Sequence, residues 1–589
     1  MGKIIRLSRE LIERIAAGEV VERPASIVKE LLENSLDAGA DDILIELEKG
    51  GKESIRITDN GCGMDHEDVK LAFERYATSK IRSFDDLWGV RSFGFRGEAL
   101  PSIAAVSRME MLTRAKGAVS GFRVVMDGGR TVEFREAGCP EGTSIHVTEL
   151  FQTVPVRRKF LKSDSAEQGH CVDAVSRISL AHPHVRIRLN RAGKTILNAP
   201  KTADLEERIA LVLGTETRGM LLPVRYSAAA ATVAGFVSRP DIGRSTGRNI
   251  LLYINGRFAR DAMISHAVMN AYRGSIETGR YPYAVLFLEL PPGEVDVNVH
   301  PAKAEVRFRE PGAVYDAVLA GLREALAGLP GAGEAPQSIG YPGSGRRGGV
   351  FHAREAVRMY VIGGRDSGLF PRVSSASPST ETPPVSIFPA GEREKGFFSS
   401  LDYAGQIAGV YLVFYGNEAM ILLDQHAAHE RILFEDLRKK ASAGPIPSIR
   451  LLAPEVIHLS PSEYAVLEGL TPFLLETGME VGFLGTDTAV VKSVPDLLFR
   501  PDPAAFLRDV IGEAAELGSS PQAEIVRDRI FASLACRAAV KSGDRLSDAE
   551  VRRLCADLER CSHPSTCPHG RPLYIRFEIR EIEKMFKRR

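Results

Sequence analysis

Tryptophan occurs once in the 589 residues, cysteine seven times, and neither sign of charge outnumbers the other. Each scarcity excludes something. Seven is an odd count and no pair is spaced Cys-x-x-Cys, so neither a disulfide framework nor an ordinary zinc finger accounts for the cysteines. Lysine plus arginine number 76, as do aspartate plus glutamate, so global charge does not draw the chain to nucleic acid. Any DNA contact must then come from local basic surface, at modest affinity. No run reaches the roughly 18 apolar residues that cross a membrane, and the first six residues, Met1 to Arg6, hold no apolar stretch of signal-peptide length. A cytoplasmic protein with no membrane partner is expected.

What is present is ordinary in bulk, 44% hydrophobic and 26% charged, but the length exceeds what one core usually serves, so two to four domains are expected. The stretch from Ser26 to Asp37 organises the first. Ile27, Val28, Leu31, Leu32 and Leu36 recur at helical spacing and Pro24 suits a helix start, so one stripe can pack on a core. On the other face Glu30 and Asn34 sit one turn apart, with Asp37 three residues further. A carboxylate and an amide oxygen so placed can orient a water and hold a hydrated Mg2+, although a helix that merely shows a polar side to solvent has the same pattern.

Three further elements follow. Ile43, Ile45 and Leu47 alternate, Gly50-Gly51 turns the chain, and Ile55 and Ile57 lead to Thr58-Asp59-Asn60-Gly61-Cys62-Gly63-Met64, a β-hairpin ending in a glycine turn. Asp59 falls at a strand end, where a carboxylate can accept from an exocyclic amine, and Gly61 and Gly63 let the backbone approach a flat ring. Next come Thr78-Ser79-Lys80 and then Gly94-Phe95-Arg96-Gly97-Glu98-Ala99-Leu100, a glycine loop opening an apolar helix whose free N–H groups can cradle phosphates.

In that order the four elements resemble the split-Bergerat ATPases, the set that holds DNA gyrase B subunits, Hsp90 chaperones, histidine kinases and MutL. Within the set, Ala17 to Pro24, Ala77-Thr78-Ser79-Lys80 and the uninterrupted Gly94 to Leu100 loop are similar to MutL signatures. The resemblance implies Glu30 as the general base for water, Asn34 as the Mg2+ ligand, Asp59 on the adenine amine of ATP, and Gly94, Phe95, Arg96 and Gly97 on its phosphates. It places Gly61, Gly63, Thr78, Ser79, Lys80 and Thr143 in the same cofactor pocket.

Gly142 to Val147 reads as the closing strand of the ATPase sheet, and Arg157, Arg158, Lys159 and Lys162 as either a solvated face or a DNA-facing loop. From about Leu222 a second αβ unit begins. Leu251 to Ile254 runs into the tight-turn dipeptide Asn255-Gly256, which by itself is a hairpin and nothing more. Val295, Val297 and Val299 alternate and deliver His300-Pro301-Ala302-Lys303 at a turn, where Lys303 can be an ordinary surface residue. The resemblance instead implies that Lys303 reaches the γ-phosphate from a ribosomal-S5-like second domain. Val318 to Ala327 reads as a closing helix. From Pro330 the chain turns rich in Gly, Pro and Ser, burying too little apolar surface to offset ordering entropy, so about seventy residues to 400 are expected to be a disordered linker.

Order resumes near Gln406. Met420 to Leu423 reads as a buried strand running into Asp424-Gln425-His426-Ala427-Ala428-His429-Glu430-Arg431-Ile432-Leu433-Phe434-Glu435, a helix on which His426 and Glu430 share a face. His and Glu at this spacing can hold a metal or simply make a surface hydrogen bond. Cys536 in an apolar helix and the rigid turn Cys567-Pro568-His569-Gly570 strengthen the metal reading, since a Cys/His set in a reducing cytosol is more often a metal site than a disulfide. His426, Glu430, Cys536, Cys567 and His569 offer the mixed donors that suit Zn2+, and with Asp424 they can serve two adjacent ions, the usual device for cleaving phosphodiesters.

Asp424 to Glu435, Ala535 to Arg537, Cys567 to Pro572 and Phe586-Lys587-Arg588 resemble the motifs of endonuclease-type MutL proteins. That resemblance implies a latent Mn2+-supported DNA-nicking activity with Asp424 as a principal catalytic ligand and zinc on His426, Glu430, Cys536, Cys567 and His569. Cys62, Cys139, Cys171, Cys555 and Cys561 read as buried or incidental thiols. One departure stands out. Ile449-Arg450-Leu451-Leu452-Ala453-Pro454 puts Ile449 where nuclease-type relatives carry a Gln that docks on the sliding clamp, so clamp binding should be weakened; Leu451 and Leu452 can equally be core.

The expected architecture is α/β and multidomain: a Bergerat-type α+β sandwich ATPase over 1–220, an S5-like transducer over 221–329, a linker over 330–400, and an α/β dimerisation and metal-dependent endonuclease domain over 401–589. The function it implies is mismatch repair by an ATP-switched homodimer that couples MutS to strand nicking, with ATP, Mg2+, Zn2+ and Mn2+ as cofactors and DNA and MutS as partners. Its rivals are a non-nicking matchmaker with structural zinc, for which Asp424 is unnecessary, and another ATPase of the same fold. A chaperone leaves the C-terminal metal motifs unexplained, a complete topoisomerase needs a longer chain with a DNA-cleaving tyrosine domain, and a histidine kinase needs an upstream phospho-accepting helix.

Overall fold

The computed structural model describes residues 20–80, 97–277, 279–296, 306–327, 397–416, 418–444, 446–496, 502–516, 523–539 and 545–586. Gly94, Phe95, Arg96, Lys303, Lys587, Arg588 and nearly all of the 330–400 segment lie outside them. The chain is α/β and multidomain, and it divides into two compact units, residues 1–333 with 443–533 and residues 334–442 with 534–589.

In the first unit an eight-stranded sheet carries helix α1 (Pro24–Asp37). Its strands are β1 (Asp42–Glu48), β2 (Ser54–Asp59), β3 (Arg108–Arg114), β4 (Gly121–Asp127), β5 (Arg130–Ala137), β6 (Gly142–Thr148), β7 (Arg186–Arg191) and β8 (Lys194–Ala199), in the order β5-β4-β3-β6-β2-β1-β7-β8. The alternation of Ile43, Ile45, Leu47, Ile55 and Ile57 puts all five into one core with Ile27, Val28, Leu31 and Leu32 of α1. Each such burial stabilises by roughly 1.5–3 kcal/mol, which fixes the helix against the sheet. Strand β6 is not the closing strand: it lies between β3 and β2, and β7 and β8 extend the sheet beyond β1. Alternation reveals a strand but not its neighbours, which here are set by pairings distant in sequence.

A second sheet of the same unit runs β12-β11-β13-β10-β9, from β9 (Leu221–Ser227), β10 (Thr232–Ser238), β11 (Ile250–Ile254), β12 (Arg257–Ala259) and β13 (Ala284–Glu289). The β11–β12 turn is the expected Asn255-Gly256, with φ of 48° and 79°. The helix expected from Val318 begins earlier, spanning Pro311–Ala327. In the strand Ser448–His458, the pairing with Thr488–Pro495 breaks between Arg450 and Glu455. Leu452 in that break is fully exposed, so the core reading of this residue is corrected.

The second unit is built on a four-stranded sheet, β14 (Asp402–Ile407), β15 (Tyr411–Tyr415), β16 (Ala419–Asp424) and β17 (Tyr574–Glu578), in that order. Leu412, Phe414, Ile421 and Leu423 face a core shared with Val551, Leu554 and Leu558. The strand read as buried throughout is buried on one face alone, because Met420 and Leu422 point to the other side. Register aligns Val413, Leu422 and Ile575 in one row of that open face and Tyr415, Met420 and Phe577 in the next. Tyr415 and Ile575 are 50% and 48% exposed, so the row is apolar and uncovered within the unit.

Candidate functional sites

The first site is built on α1 and the ends of β2 and β6. Pro24 stands in the first turn of α1, which starts after an extended Arg23. With the apolar stripe packed, Glu30 and Asn34 are left half-buried on the wet side. Lys29 lies 4.0 Å from Glu30 and 3.8 Å from Glu33. Asp59 ends β2 against Thr143 of β6. Its Oδ1 accepts from the Gly61 N–H at 2.8 Å and its Oδ2 from the Ser35 hydroxyl at 2.8 Å. Burial holds its carboxyl above the usual range, opposed by the bonds from Gly61, Ser35 and the Thr143 backbone. The carboxylate is thereby fixed in orientation with acceptor capacity to spare, which suits an exocyclic amine.

Gly63 has φ of 66°, and a Cβ there would lie 2.0 Å from the Arg114 carbonyl oxygen, so only glycine lets this turn approach β3 so closely. Gly97 has φ of 61° and presses on the backbone of Ala77, to which a Cβ would come within 2.3 Å. The Tyr76 N–H donates to the Gly97 carbonyl at 3.2 Å. The expected Thr78-Ser79-Lys80 segment is thus joined to the foot of the glycine loop, just ahead of the helix Ala99–Ala105. The Thr113 hydroxyl links Thr143 at 3.0 Å and Met64 N–H at 3.0 Å, tying β3, β6 and the glycine turn after Asp59 together.

Two residues of this site escape sequence reasoning. Ser35 follows Asn34 and its helical phase aims it at Asp59, a contact across 24 residues that no local pattern announces. Arg257, in the hairpin after Asn255-Gly256, is half-buried with Glu33 and Asp37 as the carboxylates acting on it, and desolvation holds its guanidinium below the usual range. Lys80 donates to Asn34 Oδ1 at 3.0 Å and pairs with Asp37 Oδ2 at 2.5 Å.

The second site lies at the C-terminal end of β16. Helix α2 (Gln425–Ala443) begins directly after Asp424, whose Oδ1 accepts from the Ala427 N–H at 3.0 Å and whose own N–H donates to the Leu573 carbonyl at 2.9 Å. The turn that follows Thr566 closes on itself: Cys567 N–H donates to Arg571, Gly570 N–H to Cys567, and Thr566 bridges Pro572. Glu435, the last residue of the Asp424 motif, accepts from the Ser562 and His563 N–H groups at 2.6 and 3.1 Å, and Arg431 Nε donates to the Thr566 carbonyl at 2.6 Å. Helix α2 therefore grips both approaches to the turn that carries Cys567 and His569.

Among the described residues, Glu430, Cys567 and His569 bring one oxygen, one sulfur and one nitrogen within 4.8 Å of one another. His569 Nδ1 is 3.2 Å from Glu430 Oε1. Burial opposes ionisation of the Cys567 thiol, but bonds from His569 and the Arg571 N–H bring it below the usual range. Cys567 and Glu430 push His569 up to about 9. Such a potential favours a positive charge at this point, and the donor set fits a Zn2+ ion. Cys536 hydrogen-bonds Glu430 and His426 acts on its charge, so both flank the trio without belonging to it. Cys555 and Cys561 are core thiols pushed up to about 12 by burial.

Among the described residues, no helix is long and apolar enough to cross a membrane. Three family models match the chain: a histidine kinase-, DNA gyrase B- and HSP90-like ATPase over residues 22–137, a DNA mismatch repair protein C-terminal domain over 209–327, and a MutL C-terminal dimerisation domain over 404–546. The chain is 44% identical to a DNA mismatch repair protein MutL of Syntrophus aciditrophicus, covering all of both chains. It is 41% identical to that of Geobacter sulfurreducens, covering 99% of each. A solved MutL ATPase domain of Aquifex aeolicus complexed with ADP matches 46% of this chain and 94% of its own at 28% identity, with a TM-score of 0.37.

Proposed function

The chain belongs to the MutL family of DNA mismatch repair proteins, with an ATPase domain and a C-terminal dimerisation domain, and we propose that it is an ATP-switched homodimer that nicks DNA at its C-terminal metal site. The proposed domains are the ATPase over 1–220, the transducer over 221–329, a flexible linker over 330–400 and the dimerisation and nuclease region over 401–589. The observation that carries the nicking reading is the Glu430, Cys567 and His569 trio, whose Glu430 stands on the helix that Asp424 opens.

In the ATPase site Asp59 orients the adenine, Gly97 and the Thr78 to Lys80 segment line the phosphates, and Glu30 takes a proton from the attacking water. Asn34 would hold Mg2+, which when bound neutralises phosphate charge. Lys303 completes this reading from the second domain, toward the γ-phosphate. In the C-terminal site Cys567, His569 and Glu430, flanked by Cys536 and His426, would hold Zn2+. Asp424 supplies a carboxylate that a structural zinc site does not require, and it would share Mn2+. Paired metals there would stabilise the attacking and leaving oxygens of a phosphodiester. A matchmaker with structural zinc is the second reading.

Nicking of supercoiled plasmid in Mn2+ separates the two. The intact chain relaxes the plasmid and Asp424→Asn does not, while both retain zinc and hydrolyse ATP. Absence of nicking by the intact chain under those conditions leaves the matchmaker.

The homodimer follows from the dimerisation domain, and the open face of the β14-β15-β16-β17 sheet is its proposed seat. Val413, Tyr415, Met420, Leu422, Ile575 and Phe577 form an apolar surface that a second copy would cover. Ile575→Glu puts a charge on that surface and is expected to halve the mass seen by sedimentation equilibrium without shifting the far-ultraviolet circular dichroism. A dimer that survives the change places the interface elsewhere. MutS recruitment and DNA contact, the latter through exposed Arg158 and Lys159, belong to the same proposal. So does weakened clamp binding, because the exposed Ile449 cannot donate or accept as a Gln would.

A further inference from the structure

Asn34 Oδ1, the oxygen assigned above to Mg2+, already accepts a hydrogen bond from the Lys80 ammonium at 3.0 Å. The same ammonium sits 2.5 Å from Asp37 Oδ2, with the two side chains only 20% and 12% exposed. One lysine thus spans the Mg2+ ligand and the carboxylate one turn below it on α1. Mg2+ requires an oxygen at 2.0–2.1 Å in octahedral geometry. A second cation hydrogen-bonded to that oxygen is excluded by space and by charge repulsion in a site that is mostly screened from water. Lys80 ends the segment joined to Gly97 through Tyr76, and its backbone N–H is held by the Thr78 hydroxyl at 3.2 Å, so its side chain can turn while the backbone stays anchored.

We propose that Lys80 and Mg2+ exchange at Asn34: the ammonium holds Asn34 and Asp37 until Mg2+ with nucleotide displaces it, and it then turns to the phosphates. This rests on the nucleotide-site reading and adds to it a residue that sets the Mg2+ concentration at which nucleotide is accepted. The charge of Arg257 also acts on Asp37 and Glu33, so Asp37 is not left without positive charge when Lys80 departs.

The test is binding of a fluorescent N-methylanthraniloyl ADP to the full chain, followed as Mg2+ is raised from an EDTA baseline. Lys80→Met removes the competing charge and is expected to lower the Mg2+ midpoint at least fivefold. Lys80→Arg keeps a cation there and should stay near the native midpoint, which also shows that the segment tolerates substitution. A midpoint unchanged or raised in Lys80→Met overturns the exchange while leaving the nucleotide site standing. Binding by the native chain and none by Lys80→Met at any Mg2+ also overturns it, since the phosphate contact of Lys80 would then outweigh any competition with Mg2+. No binding by the native chain removes the nucleotide-site reading and this inference with it.

Discussion

Replacing Glu30 by glutamine is expected to leave ATP binding nearly intact and to slow hydrolysis by about 10²- to 10⁴-fold, the usual worth of a positioned general base. Glutamine keeps the size and the hydrogen-bonding reach of the side chain but cannot take the proton from water. The packing that positions residue 30 is supplied by Ile27, Leu31 and Val28 on the opposite face of α1, so the substitution leaves the helix in place. In the proposed site nucleotide would be gripped elsewhere, at Asp59 and the backbone near Gly97. Single-turnover hydrolysis beside equilibrium binding separates the two effects. A proportionate loss of both would make Glu30 a binding residue and move the base to another group.

The second large effect is at Cys567. Its sulfur belongs to the trio, and it also organises its own turn by accepting from the Arg571 N–H at 3.3 Å. Cys567→Ala should strip zinc from the purified chain, because it removes the sulfur of the trio and leaves Glu430 and His569 to the flanking Cys536 and His426. The melting temperature should fall, and a strong chelator should lower that of the native chain to a similar value while leaving the variant unmoved. Metal analysis and thermal melts check both. Affinity should also weaken as pH drops, since Cys567 and His569 must shed protons to bind metal, and His569 holds its proton up to about 9 in the field of Cys567 and Glu430. Zinc retained by Cys567→Ala would take the sulfur out of the site.

Much of this was legible in the residues because the chemistry is local. Glu30, Asn34 and Asp37 share a helical face by spacing alone, Asp59 and Gly63 are read from a strand followed by a glycine turn, and Cys567 and His569 lie two residues apart on a turn. The rest depends on which distant segments meet. Ser35 looks like any helical serine until β2 brings Asp59 beside it. Arg257 belongs to an ordinary hairpin until that hairpin is set near Glu33 and Asp37. Strand β6 alternates like an edge or a centre, and only its pairing with both β2 and β3 puts it inside. Met420 to Leu423 is a continuous apolar run, and such a run is the same whether both faces lie in one core or one face awaits a second copy. Glu435 carries a motif position whose part in the fold, holding the Ser562 and His563 backbone, is invisible without the loop it holds.

The central claim is that one chain uses the state of its nucleotide site to govern cutting at its metal site. The most direct measurement is the rate of Mn2+-supported plasmid nicking with and without a non-hydrolysable ATP analogue, in the native chain and in Asp59→Asn, which loses the adenine anchor. The account predicts a several-fold change on adding the analogue to the native chain and none in Asp59→Asn, with the two proteins alike when no nucleotide is present. Equal nicking rates under all four conditions would contradict it, leaving an ATPase and a nuclease that merely share a polypeptide.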